Sequence, residues 1–331
     1  METVVSGVRP TGNLHLGNYF GAVSNFIAMQ SEYNCFFFVA DYHRLTTHLG
    51  QKKPLKEDVY QIVAEYLACG LDPNKCTLYV QSDLPETAEL YLLLNMLAYK
   101  GELEKCTTFK DKVRQQNTNI NAGLLTYPVL MAADILIHKA NKVPVGKDQE
   151  QHLEMTRNFA KRFNHHYDCD IFPEPQAFSF NDSLIKIPGL DGSGKMGKSE
   201  GPNNAIYLFE EESLIRKKVM KAKTDSGPQS ANSTLSEEMQ NLFQIMQAVS
   251  SSDTYEHFIK AYANCEIRYG DFKKALAQDI INFCAPIREK IKEYSADKDY
   301  IKRILNLGKE KAKESANKSI KEVRSMIGFH S

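Results

Sequence analysis

No tryptophan occurs in the 331 residues, an absence that decides nothing by itself, and no two cysteines stand in a C-x-x-C spacing. The seven cysteines are odd in number and scattered. Neither a disulfide framework nor a structural zinc site is expected from them. An excess of one charge is missing as well, since 41 basic residues balance 41 acidic ones. That argues against a histone-like or coat-like binder held by bulk charge, yet leaves room for a nucleic-acid partner gripped by a local basic patch. Long apolar runs are also lacking: C-F-F-F-V-A at 35–40 is far too short to span a bilayer. The first residues show no cationic stretch followed by an apolar one, so no secretory signal is read there. The chain reads as cytosolic, soluble and reduced, with no membrane partner.

At roughly 150 residues per domain, the length allows two domains, or one large domain with an insertion. Hydrophobic residues at 42% and charged residues at 25% are ordinary globular values, so a buried core is expected. Residues 2–6 read as a short buried strand, followed by a turn with Gly7, Pro10 and Gly12 as breakers. Apolar spacing predicts a helix from His15 to Met29, through Leu16, Tyr19, Phe20, Val23, Phe26 and Ile27. Residues 35–40 read as a second strand and 77–81 as a third. Between them, 54–69 form an amphipathic helix opened by Pro54 and stopped at Gly70. This alternation predicts a parallel sheet with right-handed crossovers. A mostly helical excursion follows, then a fourth strand at 142–145 and a helix at 149–166. Residues 188–204 are rich in Gly, Ser and Lys and show no apolar period, so they read as a mobile loop and a boundary. From about 211 onward only helices are expected, at 211–222, 236–250, 253–264, 268–294 and 297–326.

Two segments carry chemistry. The first is G-V-R-P-T-G-N-L-H-L-G-N, a strand end, a turn and a helix N-terminus. Unpaired N–H groups and the dipole suit such an end to phosphate. Gly17 would let a ligand approach the backbone, with His15 and Asn18 as side-chain donors; an ordinary tight turn with a capping histidine is the competing reading. The turn lacks G-x-G-x-x-G and G-x-x-x-x-G-K-[ST], so a dinucleotide or P-loop site is disfavoured. The second segment is G-K-M-G-K-S at 194–199. Lys195 and Lys198 are mobile point charges on a glycine-rich arm, suited to charge that develops during a reaction. Alone the segment would read as a solvated linker. An H-L-G-N turn at the start of the sheet combined with a K-M-x-K-S loop after its last strands reads as two halves of one nucleotide site.

On these residues the sequence resembles the class I aminoacyl-tRNA synthetases, and within them the bacterial-type tryptophanyl-tRNA synthetases. His15–Asn18 matches the first signature and Lys195–Ser199 the second. The likeness extends over 6–22, 122–136 and 143–157, and less clearly beyond about 225. Two departures stand out: Gly197 where the second signature usually has serine, and Lys147 where an acidic residue usually precedes Asp148. The resemblance implies an α/β fold with a Rossmann-like parallel-sheet catalytic domain over 1–190 (helical insertion about 83–140). A mobile loop follows at 191–204, then a helical anticodon-binding domain over 205–290. C-terminal helices over 291–331 would pack back toward the catalytic domain.

It also implies a tryptophan–tRNA ligase that forms tryptophanyl-adenylate from L-tryptophan and ATP, with Mg2+ carried by the nucleotide, and then charges tRNA(Trp). His15, Asn18, Lys195 and Lys198 would be catalytic. Arg9, Pro10, Thr11, Gly17, Gly146, Lys147, Asp148, Ile187, Met196, Gly197 and Ser199 would complete the ATP site. Val5, Gly7, His43, Tyr127, Met131, Asp134, Ile135, Val143, Val145 and Gln149 would surround tryptophan, with Asp134 accepting the indole N–H. Met131, three residues before Asp134 on one helix face, favours an indole over a phenol. Val143 and Val145 alternate along one strand and so point the same way. Plain core packing competes for Met131, Val143 and Val145, and helix capping for Asp148 and Gln149. The basic run 216–223 reads as a phosphate footprint or as a solvated helix face. The apolar stretch 90–99 reads as a homodimer interface or as core. A tyrosyl enzyme, another adenylyl-transferring enzyme and a non-catalytic paralogue remain as alternatives.

Overall fold

A computed structural model describes the chain except residues 47, 48, 50–53, 116–119, 147, 148, 179–185, 193, 195, 198–200, 202 and 331. Five parallel strands form the sheet: β1 (Thr3–Val8), β2 (Asn34–Val39), β3 (Thr77–Val80), β4 (Lys142–Val143) and β5 (Gln176–Ala177), in the order β3-β2-β1-β4-β5. Between β1 and β2 lie α1 (Leu16–Asn18), a π-helical turn (Tyr19–Val23) and α2 (Ser24–Met29). Between β2 and β3 lie α3 (Asp41–Leu45) and α4 (Leu55–Cys69). Four helices separate β3 from β4: α5 (Pro85–Asn95), α6 (Lys100–Glu104), α7 (Thr107–Gln115) and α8 (Ala122–Leu136). Helix α9 (Glu150–His166) joins β4 to β5. After β5 come α10 (Glu212–Met220), α11 (Glu237–Val249), α12 (Ser252–Ala263), α13 (Tyr269–Ala296) and α14 (Lys298–Ile327).

Alternate residues of each strand serve opposite faces, because side chains along a strand repeat every two residues. Val4, Phe37, Val39 and Leu78 share one apolar cluster with α2, α4 and the helices from α10 to α13. Val5, Phe36, Phe38 and Tyr79 share the other with α5, α8 and α9, and with Ala312, Ala316 and Ile320 of α14. Both faces are covered, which is why β1 and β2 read as continuous apolar runs. The chain winds outward from β1 through β2 to β3, then returns across the sheet to β4. The reversal falls between β1 and β4, and the crevice at the carboxyl ends there is where such sheets bind ligands.

Three differences from the sequence reading have physical causes. The helix over 15–29 is interrupted by the π turn at Tyr19–Val23, which apolar spacing cannot distinguish from α geometry. The fourth strand pairs over Lys142–Val143 alone, since Pro144 has no N–H to continue the ladder. Strand β5 was not foreseen: its two exposed residues show no apolar pattern. Helix α14 lies along the edge strand β3, and a side chain at Gly308 would put its Cβ 1.8 Å from the Leu78 carbonyl oxygen. Glycine at that position lets the helix cover the sheet edge.

Candidate active site

The turn after β1 ends in a reciprocal cap. The Asn18 N–H donates to Nδ1 of His15 at 3.3 Å, and the His15 N–H donates to Oδ1 of Asn18 at 3.2 Å. With Nδ1 accepting, the proton of a neutral His15 ring sits on Nε2. Gly17 also has a packing reason. A Cβ there would come within 3.0 Å of the His15 ring and 3.3 Å of Met196, so glycine leaves room for those two side chains. Below the turn, the buried Glu65 of α4 accepts the Leu14 N–H at 2.5 Å and an amide hydrogen of Gln61 at 2.8 Å. Arg9 is exposed, Thr11 half-buried and Pro10 buried.

Helix α8 carries Tyr127, Met131, Asp134 and Ile135 at intervals of four, seven and eight residues from Tyr127, which is one face. Asp134 is buried, and its carboxylate is partnered: Gln81 donates its amide to both oxygens at 2.8 and 2.9 Å, and His43 Nε2 lies 2.8 Å from Oδ2. Gln81 in turn accepts the Tyr42 N–H at 3.1 Å. Burial raises the Asp134 pKa, while hydrogen bonds and charge from His43, and the bonds from Gln81, oppose it. The sequence placed His43 near the pocket and missed Gln81. Its signal was a polar residue ending an apolar strand, at the carboxyl end of the sheet.

The remaining slot residues divide. Val5, Val143 and Ile135 are buried in the apolar cluster, Val145 and Met131 are half-buried against it, and Gly7 is exposed. A Cβ on Gly7 would meet the Phe38 ring at 2.5 Å, so Phe38 of the neighbouring strand lies over that glycine. Tyr127 is hydrogen-bonded through its hydroxyl to His152, and burial pushes its pKa up. Lys112 of α7 stands 4.7 Å from the centroid of the Tyr127 ring; burial, and then the charge of Arg9, lower its pKa. No sequence motif pointed to Lys112 or Phe38. Gln149 occupies the N-cap position of α9 without a side-chain cap bond, and its N–H donates to the Gly146 carbonyl at 2.9 Å.

Met196 of the second signature and Ile187 before it are buried in the core, with the Met196 N–H donating to the Ile187 carbonyl at 2.9 Å. Gly197 donates its N–H to Oδ1 of Asn204 at 3.0 Å. Lys147, Asp148, Lys195, Lys198 and Ser199 lie outside the described residues. The basic run 216–223 is split: Arg216 bonds Gln278, Lys223 pairs with Glu238 at 3.0 Å, and Lys218 is buried against Glu210. Lys218 is therefore withdrawn from any phosphate footprint. Leu90 and Leu94 are buried, whereas Leu92, Met96 and Tyr99 are exposed, so the stretch 90–99 is apolar on both sides.

A family model described as "tRNA synthetases class I (W and Y)" matches residues 2–285. A tryptophan–tRNA ligase of Porphyromonas gingivalis is 60% identical over 329 residues, which are 99% of this chain and 100% of the relative. One from Fusobacterium nucleatum is 41% identical over 99% of this chain and 98% of its own length. Among solved structures, a tryptophanyl-tRNA synthetase of Campylobacter jejuni complexed with ADP and tryptophan superposes with a TM-score of 0.88 at 34% identity, over 99% of this chain and 100% of that one. A signature turn closed by its own histidine and asparagine, a carboxylate partnered by residues just after β2 and β3, and full-length similarity agree, and the chain belongs to the class I tRNA synthetases, in their tryptophan–tRNA ligase family.

Proposed function

We infer that this chain joins L-tryptophan to ATP, giving tryptophanyl-adenylate and pyrophosphate, and then passes tryptophan to the terminal ribose of tRNA(Trp). The observation that carries this reading is Asp134: a buried carboxylate that Gln81 and His43 hold from the side, on the helix face shared with Met131 and Tyr127. A carboxylate accepts without donating, which matches an indole N–H and equally a phenol O–H; apolar Met131 on the same helix face is what favours the indole. The C. jejuni relative was crystallised with tryptophan and ADP, ligands of the same two kinds.

In the first step the tryptophan carboxylate attacks the α-phosphorus in line and pyrophosphate leaves. Such chemistry rests on positioning and on neutralising charge. His15, with Nε2–H as donor, Asn18, Lys195 and Lys198 act on the phosphates. Arg9, Pro10, Thr11, Gly17, Gly146, Lys147, Asp148, Gly197 and Ser199 complete the nucleotide's surroundings. Ile187 and Met196 offer backbone only, because their side chains are in the core. Lys112, beside Arg9 and Tyr127, adds a cation that the motifs do not contain. Tyr127 and Gln149 take the amino acid's charged end. Val5, Gly7, Ile135, Val143 and Val145 bound the slot. Mg2+ enters with the nucleotide, held chiefly by the polyphosphate and water. In the second step a terminal ribose hydroxyl attacks the carbonyl carbon of the adenylate, the bond to phosphate breaks and AMP leaves, and no protein nucleophile takes part.

Three further parts of the reading follow from the resemblance. The helices after 205 touch tRNA(Trp). A second copy covers Leu92, Met96 and Tyr99, so a light-scattering mass of one chain would remove the homodimer. A reaction charging tRNA places the work in the cytoplasm. No described helix is long and apolar enough to cross a membrane.

ATP–pyrophosphate exchange with each amino acid in turn tests the whole reading. Exchange with tryptophan is expected; exchange with tyrosine alone, or with none, would overturn it. Lys198→Ala should slow exchange far more than it weakens tryptophan binding, and equal losses would remove Lys198 from the transition state.

A further inference from the structure

The basic run singled out in the sequence contains one lysine that faces inward. Lys218 of α10, its partner Glu210 and Arg288 of α13 are all buried. The Lys218 ammonium pairs with the Glu210 carboxylate, donates to the Ala205 carbonyl at 2.8 Å, and lies 5.1 Å from the centroid of the Tyr207 ring. Glu210 Oε2 accepts the Tyr207 N–H at 3.4 Å. Arg288 closes the group from the helical side, donating to the Glu210 carbonyl and to Glu212, both at 2.8 Å. Three ions out of water are costly, and hydrophobic replacements often serve stability as well or better. Stability alone is therefore a weak reason for them.

What they grip is the segment after the glycine-rich loop, and that segment grips His15. The Leu16 N–H donates to the Ile206 carbonyl at 3.0 Å, and the Leu208 N–H to the Leu14 carbonyl at 2.9 Å. These bonds flank His15 in an antiparallel bridge with Tyr207. The two rings also meet edge to face, centroids 6.2 Å apart at 75°. We propose that the strap 205–208, keyed by the buried Lys218–Glu210 pair, is a positioning device for His15. Lys218 and Tyr207 are thus positioning residues, which act by fixing where the His15 ring stands. The device joins α10 and α13 to the nucleotide turn, so the helical part of the chain contributes to the first chemical step. It rests on the reading that His15 works at the phosphates.

The test compares Tyr207→Leu, which removes the ring contact but keeps the bridge, with Lys218→Met/Glu210→Gln, which removes both charges together. Each is made alone and with His15→Ala. A displacement of about 1 Å at a reacting group costs on the order of 100-fold. Each variant should lose roughly 10- to 100-fold in exchange rate at saturating substrates. The KM for tryptophan should stay within about twofold, and melting should be little changed for Tyr207→Leu. Added to His15→Ala, neither change should slow the enzyme further, because the device acts only through that ring. Full rates in folded Tyr207→Leu, or losses that multiply with His15→Ala, would overturn the proposal while leaving His15 in place. An unchanged rate in His15→Ala itself would overturn the reading of His15, and the proposal with it.

Discussion

Asp134 pays for its burial through Gln81 and His43, and both donors favour its ionised form. Its pKa is nevertheless raised, because burial is the larger effect. The sign for catalysis follows. Above the raised value Asp134 is ionised and, in the proposed function, accepts the indole N–H. As pH falls through that value it takes a proton and loses acceptor capacity. The kcat/KM for tryptophan should therefore begin to fall at a pH above the ordinary carboxylate range. In Gln81→Leu, where one counterweight is gone, the fall should begin at higher pH still. A kcat/KM profile measured for both proteins checks this, and coincident profiles would contradict it. Gly17→Ala forces a Cβ to 3.0 Å from the His15 ring, so exchange should slow by roughly tenfold or more while tryptophan binding, measured by calorimetry, holds.

Among the elements, α14 shows how much of the packing was out of reach of the sequence. Its span was legible from periodicity and lies within a residue or two of the structure. The resemblance also implied that it packs back toward the catalytic domain, but not against which strand. Nothing local says that Gly308 faces the Leu78 carbonyl, or that Ser315 accepts a place 3.0 Å from His138. Gly308→Val should destabilise the fold by about 3 kcal/mol or more, because the helix must leave β3 or strain it. Urea unfolding measures this, and a loss below about 1 kcal/mol would show that α14 can shift freely. The same limit applied to the site. The H-L-G-N signature, the face of α8 carrying Met131 and Asp134, and the alternation of strands and helices could be read in order along the chain. Gln81, Phe38, Lys112 and Glu65 could not, since each matters only through a residue far away in sequence.

Across the whole molecule, buried polar links tie the sheet to helices on both sides. His138, just beyond α8, is hydrogen-bonded to the Tyr79 hydroxyl at 2.9 Å and faces Ser315 of α14. Its ring stacks on Phe36 with centroids 4.1 Å apart. Burial pushes its pKa from the ordinary 6.5 down to about 3. The unfolded chain thus takes up a proton below 6.5 that the folded chain refuses until about 3. Stability from the neutral ring is complete above that window and is lost as pH falls through it, by up to roughly 1.4 kcal/mol per pH unit. The melting temperature of His138→Gln should decline less steeply than that of the unaltered protein between about pH 7 and about pH 5; parallel declines would contradict the assignment. On the other side of the sheet, Lys218, Glu210 and Arg288 link α10 and α13 to the nucleotide turn.

Replacing the indole N–H by sulfur, in the benzothienyl analogue of tryptophan, removes the donor and little else. A site with a buried acceptor should discriminate against it strongly, by up to ~10⁴-fold in kcat/KM for exchange. Asp134→Ala should lose that preference and treat the two amino acids within about threefold of each other. If the unaltered protein uses both equally, or if Asp134→Ala still prefers the indole, the hydrogen bond at the centre of this account does not exist.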